Sequence, residues 1–321
     1  MSAIASGEFW AFVGVVAGIY TLLTLGLQVQ FGLAGLLNFG QVGFMAVGAY
    51  TMAILVVKEG MSTWLAAPLG VLAAAAAGVL VGLPTLRLRS DYFAIVTIAF
   101  SEIVRFVATN EDRLTGGSQG TINLGGAGTA SQYDDEWRRF QEWLGGVLHI
   151  GSKDVVMLVV VWSVALVLLT LTAAAARTPW GRVLRAIRED EDAAASLGKD
   201  VFAYKLQALA LGAALAGLAG CFYAWQFSFF SPADFQPLVT FFAWMILILG
   251  GVGRVWAVPV GAALFGVLFA VTRFFDFPPF SYLDSADRAY VRLMIIGLVI
   301  IVLVVLRPQG ILGRRDEMVL E

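Results

Sequence analysis

The sequence predicts an all-α, polytopic integral membrane protein of about nine transmembrane helices, with eight or ten also compatible, and three observations predict it. The 321 residues are 59% hydrophobic and only 14% charged, with mean hydropathy +0.82. That leaves too little polar surface to cover a water-soluble fold of this size. Apolar runs of about 20 residues, the length that crosses a hydrocarbon core as a helix, recur along the whole chain. Finally, Lys and Arg are unevenly shared between alternate connections, as in proteins oriented by the positive-inside rule.

The expected spans are 9–28, 32–57, 63–84, 91–109, 155–176, 206–230, 238–250, 256–272 and 289–306. The N-terminus "MSAIASGEFW" has no basic residue ahead of its first apolar run and no small-residue cleavage site after it, so 9–28 reads as a retained span. The run 32–57 is long and interrupted by Gly32, Gly35, Gly40, Gly43 and Gly48, and 238–250 is short. Both are expected to be bent or discontinuous. With 177–205 placed inside, inner segments hold twelve of the 21 basic residues, among them Arg87, Arg89, Arg177, Arg182 and Arg254. Outer segments hold seven, against thirteen carboxylates. The expected orientation is N-terminus outside and C-terminus inside.

Two connections are structured. In 110–154, Trp137, Phe140, Leu144 and Leu148 recur at helical spacing behind Asp134 and Asp135, which predicts a short amphipathic helix at the membrane surface. It reads equally well as a docking platform for an extracellular partner or as a cap on the bundle. In 177–205, the acidic run "EDEDAAASLGKD" follows a basic stretch, with Leu184, Ile187, Ala194, Leu197 and Val201 at spacings of three, four and seven. This predicts an amphipathic helix pair, with Gly198 able to end one helix at positive φ. The stretches 38–57 and 248–269 each set a Gly-rich break before a small-residue helix, the pattern of an internal repeat with a substrate path at its interface.

Asp192, Ala193 and Ala194, followed after three residues by Gly198, resemble the "EAA-x-x-x-G" loop of ABC importer membrane subunits, with Asp where Glu is usual. Further blocks are "GLLNFGQVGFMAVGAY" (35–50), "LRLRSDYFAIVTIAFSEIVR" (86–105), "TGGSQGTIN" (115–123), "GRVLRAIREDEDAAASLG" (181–198), "LGGVGRVWAVPVGAALF" (249–265) and "LRPQGILG" (306–313). Taken in order, they resemble the branched-chain amino acid ABC transporter permease family, in the subunit type with the DYFAI and TGG signatures. The resemblance implies a bacterial inner-membrane importer of two homologous permeases, two ATPase subunits and an extracytoplasmic solute-binding protein. It implies branched-chain amino acids as substrate, with urea, amides or small organic acids as the alternative. It also implies that Arg185, Arg188, Glu189, Asp192, Ala193, Ala194, Leu197 and Gly198 dock the ATPase. No G-x-x-x-x-G-K-[ST] loop occurs, so ATP and magnesium are expected on separate chains.

Candidate pathway residues are Asn38, Gln41, Thr97, Ser101 and Glu102. Asn38 and Gln41 are amides within an apolar stretch and need partners there: either a zwitterionic substrate or, slightly favoured, a neighbouring helix. Thr97, Ser101 and Arg105 share one face, with Glu102 beside them; Glu102 reads as a pathway group or as the partner of Arg105. Gly212, Ala216 and Gly220 form a small-residue packing face. The "TGGSQG" turn reads as an ordinary turn or as a carboxylate receptor. Cys221 is expected in the core. His149, without neighbouring metal ligands, receives no role. No catalytic constellation, resident cofactor, metal or nucleic-acid partner is expected. The rival of a different class is an ion-coupled secondary carrier, for which Glu102 is the available coupling carboxylate.

Overall fold

A backbone in hydrocarbon has no water to bond, so helices are the default and every interruption needs its own hydrogen bonds. The computed structural model describes residues 7–124 and 135–272, single positions between 291 and 305, and residues 310–312. Its regular structure is helical throughout. In chain order the helices are α1 (Gly7–Leu27, extended by a π-helical turn over Gln28–Leu33), α2 (Gln41–Glu59), α3 (Thr63–Thr85), α4 (Ser90–Asn110) and the single turn α5 (Asp112–Thr115). Then follow α6 (Asp135–Leu148), α7 (Lys153–Arg177), α8 (Pro179–Glu189), α9 (Glu191–Ser196), α10 (Val201–Phe227), α11 (Pro237–Gly250) and α12 (Ala257–Thr272).

Six helices are long and apolar enough to cross a membrane, and they match the first six expected spans. The run 238–250 is a helix of 14 residues and 256–272 one of 16, both short for a crossing. Of 289–306, the described positions are helical, and the remainder lies outside the described residues, as does Asp134.

One expected span is corrected. The run 32–57 is not a continuous helix: its first three residues finish α1, residues 35–40 leave helical structure, and α2 starts at Gln41. The stop is local. Gly35 takes φ +72, and the N–H groups of Gly35 and Leu36 turn back to the carbonyls of Phe31 and Gln30 at 3.0 and 2.9 Å.

The centre of the bundle is a pair of 27-residue helices, α1 with its extension and α10. They run antiparallel: Phe12 meets Phe227 near one end, with ring centroids 6.0 Å apart, while Gln30 reaches the Leu209 carbonyl near the other. Small residues let α2 and α3 press against α10. A Cβ on Gly220 would lie 2.1 Å from the Met45 carbonyl oxygen, and one on Gly48 would lie 2.4 Å from that of Gly217. Gly212, Ala216 and Gly220 are therefore a packing face, and Cys221 is buried beside them.

The element order repeats with inverted direction. A 27-residue span, a non-helical break at 35–40, the shorter α2 and then α3 are followed later by a 27-residue span, a break at 228–236, α11 and then α12. α2 and α11 both begin in the middle of the bundle, where the Val42 N–H donates to Thr240 Oγ1 at 2.9 Å, and they leave towards opposite ends. The topology thus pairs α2 with α11, rather than 38–57 with 248–269. Within the third helices, Gly70 of α3 packs on the carbonyl of Gly48 in α2, and Gly261 of α12 packs on that of Ile246 in α11.

Because the atom facing Gly220 is backbone, Gly220→Ala is expected to destabilise the chain by about 1–3 kcal/mol. Gly146→Ala, in α6 with nothing within 4 Å of the new methyl, is expected to be neutral or stabilising by up to about 1 kcal/mol. Thermal unfolding in detergent, followed by size-exclusion fluorescence, measures both.

Candidate functional site

The break before α2 lies in the middle of the bundle and is held by side-chain amides that are fully buried. The Asn38 amide nitrogen donates to Gln30 Oε1 and Gln41 Oε1, both at 2.8 Å, and its oxygen accepts the Gly40 N–H at 2.8 Å. Gln41 Nε2 donates to the Gly212 carbonyl at 2.9 Å, and Gln30 Nε2 to that of Leu209 at 3.2 Å, tying the break to α10. Thr97 of α4 accepts the Phe39 N–H at 3.1 Å, and Trp244 of α11 donates to the Asn38 carbonyl at 2.9 Å. Five elements therefore meet at residues 38–42.

Phe39 lies on this network, stacked on Trp244 at 5.0 Å and close to Phe241 at 5.6 Å. Gly40 is required here, since a Cβ would fall 1.9 Å from the Thr97 carbonyl oxygen. One turn lower, the Gln28 amide, with its oxygen turned to the 251–256 loop, accepts the N–H groups of Gly253 and Arg254 at 2.9 Å.

Of the pathway candidates, the structure brings Asn38, Gln41 and Thr97 together. Ser101 is buried on the same side of α4, its hydroxyl bonded to the Ile98 carbonyl at 2.8 Å. Glu102 is turned away from them. Its carboxylate accepts three bonds from Arg105, the shortest 2.6 Å, and Arg105 in turn lies 4.8 Å over the Phe106 ring. Arg105 follows Thr97 and Ser101 at i+4 spacing along α4, and its guanidinium leans from that face to Glu102.

The pair α8 and α9 covers the end of the bundle where α1 finishes. Leu184, Ile187 and Ala194 are buried, whereas Leu197 is 79% exposed. Arg188 Nη1 donates to the Gly32 carbonyl at 2.6 Å, and its side chain covers Gly35. Arg185 turns back to the Ala176 carbonyl at 3.1 Å. Glu189, Asp192, Ala193 and Gly198 are exposed, and Gly198 takes φ +76 with nothing around it. The acidic run also shapes its own helices. Asp190 accepts the Ala193 N–H and caps α9, Asp200 accepts that of Ala203 and caps α10, and Glu191 pairs with Lys205.

At the opposite end, α6 lies against α3 and α10. Glu136 Oε2 accepts Ser62 Oγ and the Thr63 N–H, both at 2.7 Å, and so caps α3, while Trp137 stacks on Trp225 at 4.3 Å. The "TGG" turn is a clamp on the second break. The Thr121 N–H donates to the Phe230 carbonyl at 3.0 Å and the Phe230 N–H to Thr121 Oγ1 at 3.1 Å, at an approach that leaves no room for a side chain on Gly120. His149 sits in the α6–α7 turn at φ 57.

Sequence reasoning missed Gln28, Gln30, Thr240 and Trp244. The signal for the two glutamines was two amides within one apolar run; ending the first span at residue 28 hid it.

Removing the Asn38 amide leaves two buried acceptors, on Gln30 and Gln41, without a donor. Asn38→Ala is therefore expected to cost about 1–3 kcal/mol per orphaned group. Asn110→Ala, an exposed amide bonded within its own helix, is expected to stay within about 0.5 kcal/mol of the parent in the same unfolding assay.

Comparison with known proteins agrees with this architecture. A family model described as the permease component of the branched-chain amino acid transport system matches residues 10–304. The high-affinity branched-chain amino acid permease protein LivM of Salmonella typhimurium is 38% identical over 304 residues, 92% of this chain and 68% of the relative. Its Escherichia coli K12 counterpart is 37% identical over 302 residues, with the same coverage of each chain. The LivH permease protein of Salmonella typhimurium is 25% identical over 95% of each chain. No solved structure matches significantly. With almost its whole length inside the family model, the chain belongs to the branched-chain amino acid transport system permease family.

Proposed function

We propose that this chain is one of two homologous membrane-spanning subunits of an ATP-driven importer for branched-chain amino acids. The α8–α9 end lies in the cytoplasm and the α6 end outside. The observation that carries the reading, beyond family membership, is the α8–α9 pair. Its buried face is locked to the bundle, yet it leaves Leu197 and a ring of carboxylates open at the tip. A large apolar side chain so exposed beside charges is the composition of a docking knob. The occupant is an ATPase subunit, which brings ATP and magnesium.

Match to both LivM and LivH relatives supports a heterodimer of permeases. The solute-binding protein docks at the α6 end. Glu102, the carboxylate the secondary-carrier reading would use, is held by three bonds from Arg105, which favours the importer.

Coupling runs through Arg188. ATP-driven displacement of α8 pulls on the Gly32 carbonyl and on Gly35, the start of the break that leads to Asn38 and the mid-bundle ends of α2 and α11. The energy of switching comes from outside the chain and biases two arrangements of the same bundle.

Two substitutions separate docking from coupling in proteoliposomes containing the whole importer. Leu197→Ser is expected to leave thermal stability unchanged while weakening ATPase association about tenfold or more; wild-type ATPase stimulation by loaded binding protein would overturn the docking assignment. Arg188→Gln is expected to keep ATP hydrolysis within about twofold while lowering leucine uptake about tenfold, the size of a typical coupling free energy. Parallel loss of both activities would place Arg188 in assembly instead.

A further inference from the structure

The open side of α4 does not have the composition of a surface that meets lipid. Of the six helices long enough to span, α4 is the least covered, with 22% of its apolar stretch buried against 28% for α7 and 67% for α10. It alone among them carries a charged side chain, Glu102, in its middle third. α7 shows what lipid contact selects. Between residues 155 and 176 it has no charged side chain, and the hydroxyls of Ser163 and Thr170 bond carbonyls of their own helix at 2.6 and 2.7 Å.

The charges on α4 are deep. Glu102 stands about 18 Å along the helix axis from Ser90 and about 12 Å from Asn110. Escape to water along the helix does not explain them, because Arg105 reaches back, away from its nearer end, to give Glu102 three bonds. Neither side chain is closed off by the chain itself: Glu102 stays 27% exposed and Arg105 24%. Beside them Ile95, Ala99, Ile103 and Phe106 form an exposed stripe at spacings of four, four and three.

An ion pair at that depth belongs against protein or a protein-lined path rather than hydrocarbon. Its cover has to cross the membrane as well, since the ATPase and the binding protein are placed at the two ends of the bundle. The last apolar run of this chain does not answer the pair, because residues 293–306 include no polar side chain. The second permease is the remaining membrane-spanning subunit.

We propose that the Glu102–Arg105 flank and the exposed stripe of α4 form the face that packs on the second, homologous permease. The proposal rests on the importer reading and adds where the two membrane subunits meet. Ala99 lets a helix backbone approach closely, and the ion pair supplies a polar anchor within the bilayer. Thr97, on the buried face of α4, holds the Phe39 N–H of the first break. One helix therefore separates the subunit contact from residues 38–42.

The test uses the importer assembled in membranes from co-expressed full-length subunits, with the photo-cross-linking residue p-benzoylphenylalanine placed in turn at Ile95, Ile103 and Leu166. Leu166, 54% exposed on α7, is the lipid-facing control. On illumination the probes at Ile95 and Ile103 are expected to form an adduct with the second permease, and the probe at Leu166 to form none. Glu102→Leu combined with Arg105→Leu is expected to leave the Tm of the chain alone unchanged or raised. It weakens association with the second permease about tenfold, as for loss of one charged hydrogen-bonded contact.

Lipid adducts alone at all three positions would overturn the proposal. So would an adduct with residues 289–306 of the same chain, an adduct with another copy of this chain, or a double variant that holds the second permease as tightly as the parent. ATP-driven leucine uptake is scored on the same membranes. Uptake without a permease adduct removes the contact and leaves the importer; an adduct without uptake does the reverse.

Discussion

The rest of the structure depends on one constraint: a backbone that leaves helical form inside a bilayer must find every hydrogen bond within the protein. Among the described residues, the breaks before α2 and before α11 lie within the bundle, and the first is the better secured. Residues 38–42 take bonds from Gln30, Thr97, Thr240 and Trp244, and Gln41 carries the load on to the Gly212 carbonyl. Because those partners sit on α1, α4, α11 and α10, the break fixes how the helices stand relative to one another. The glycines follow from it, since α2 and α4 meet closely only where Gly40 and Gly43 face them.

The second break is built differently. The 228–236 segment is held from outside itself by the Thr121 clamp and from within by the capping box in which Ser231 and Asp234 exchange bonds. Its interior is aromatic where the first is amide. Rings pack well but offer few hydrogen bonds, which is why a Tyr50 hydroxyl can end up buried and unpaired.

Much of the fold was legible because length and composition alone decide whether a helix can span. Six expected spans, the amphipathic α6 and the α8–α9 pair followed from periodicity, and Gly198 from its place after the last helical residue. The break at 35–40 was legible as a run of glycines and not as a boundary, because the stop depends on Gly35 adopting φ +72 and on partners from four other helices. The acidic run was only half legible. Docking composition was visible, but Asp190 and Asp200 as caps required knowing where α9 and α10 begin. Glu102 left two readings open in the sequence, and distance rather than pattern binds it to Arg105.

The two breaks therefore differ in how easily each can move. An element that alternates between two arrangements must lose little free energy in passing from one to the other. Opening the first break would strip donors from several fully buried amides at once, at about 1–3 kcal/mol for each group left unpaired. The second already carries an unpaired hydroxyl, that of Tyr50, so a new arrangement has a bond to add there. Inverted halves with the same topology need not share the work equally. In this chain amide chemistry makes the first half the frame, and the aromatic and acidic chemistry of residues 228–236 leaves the second half free to respond.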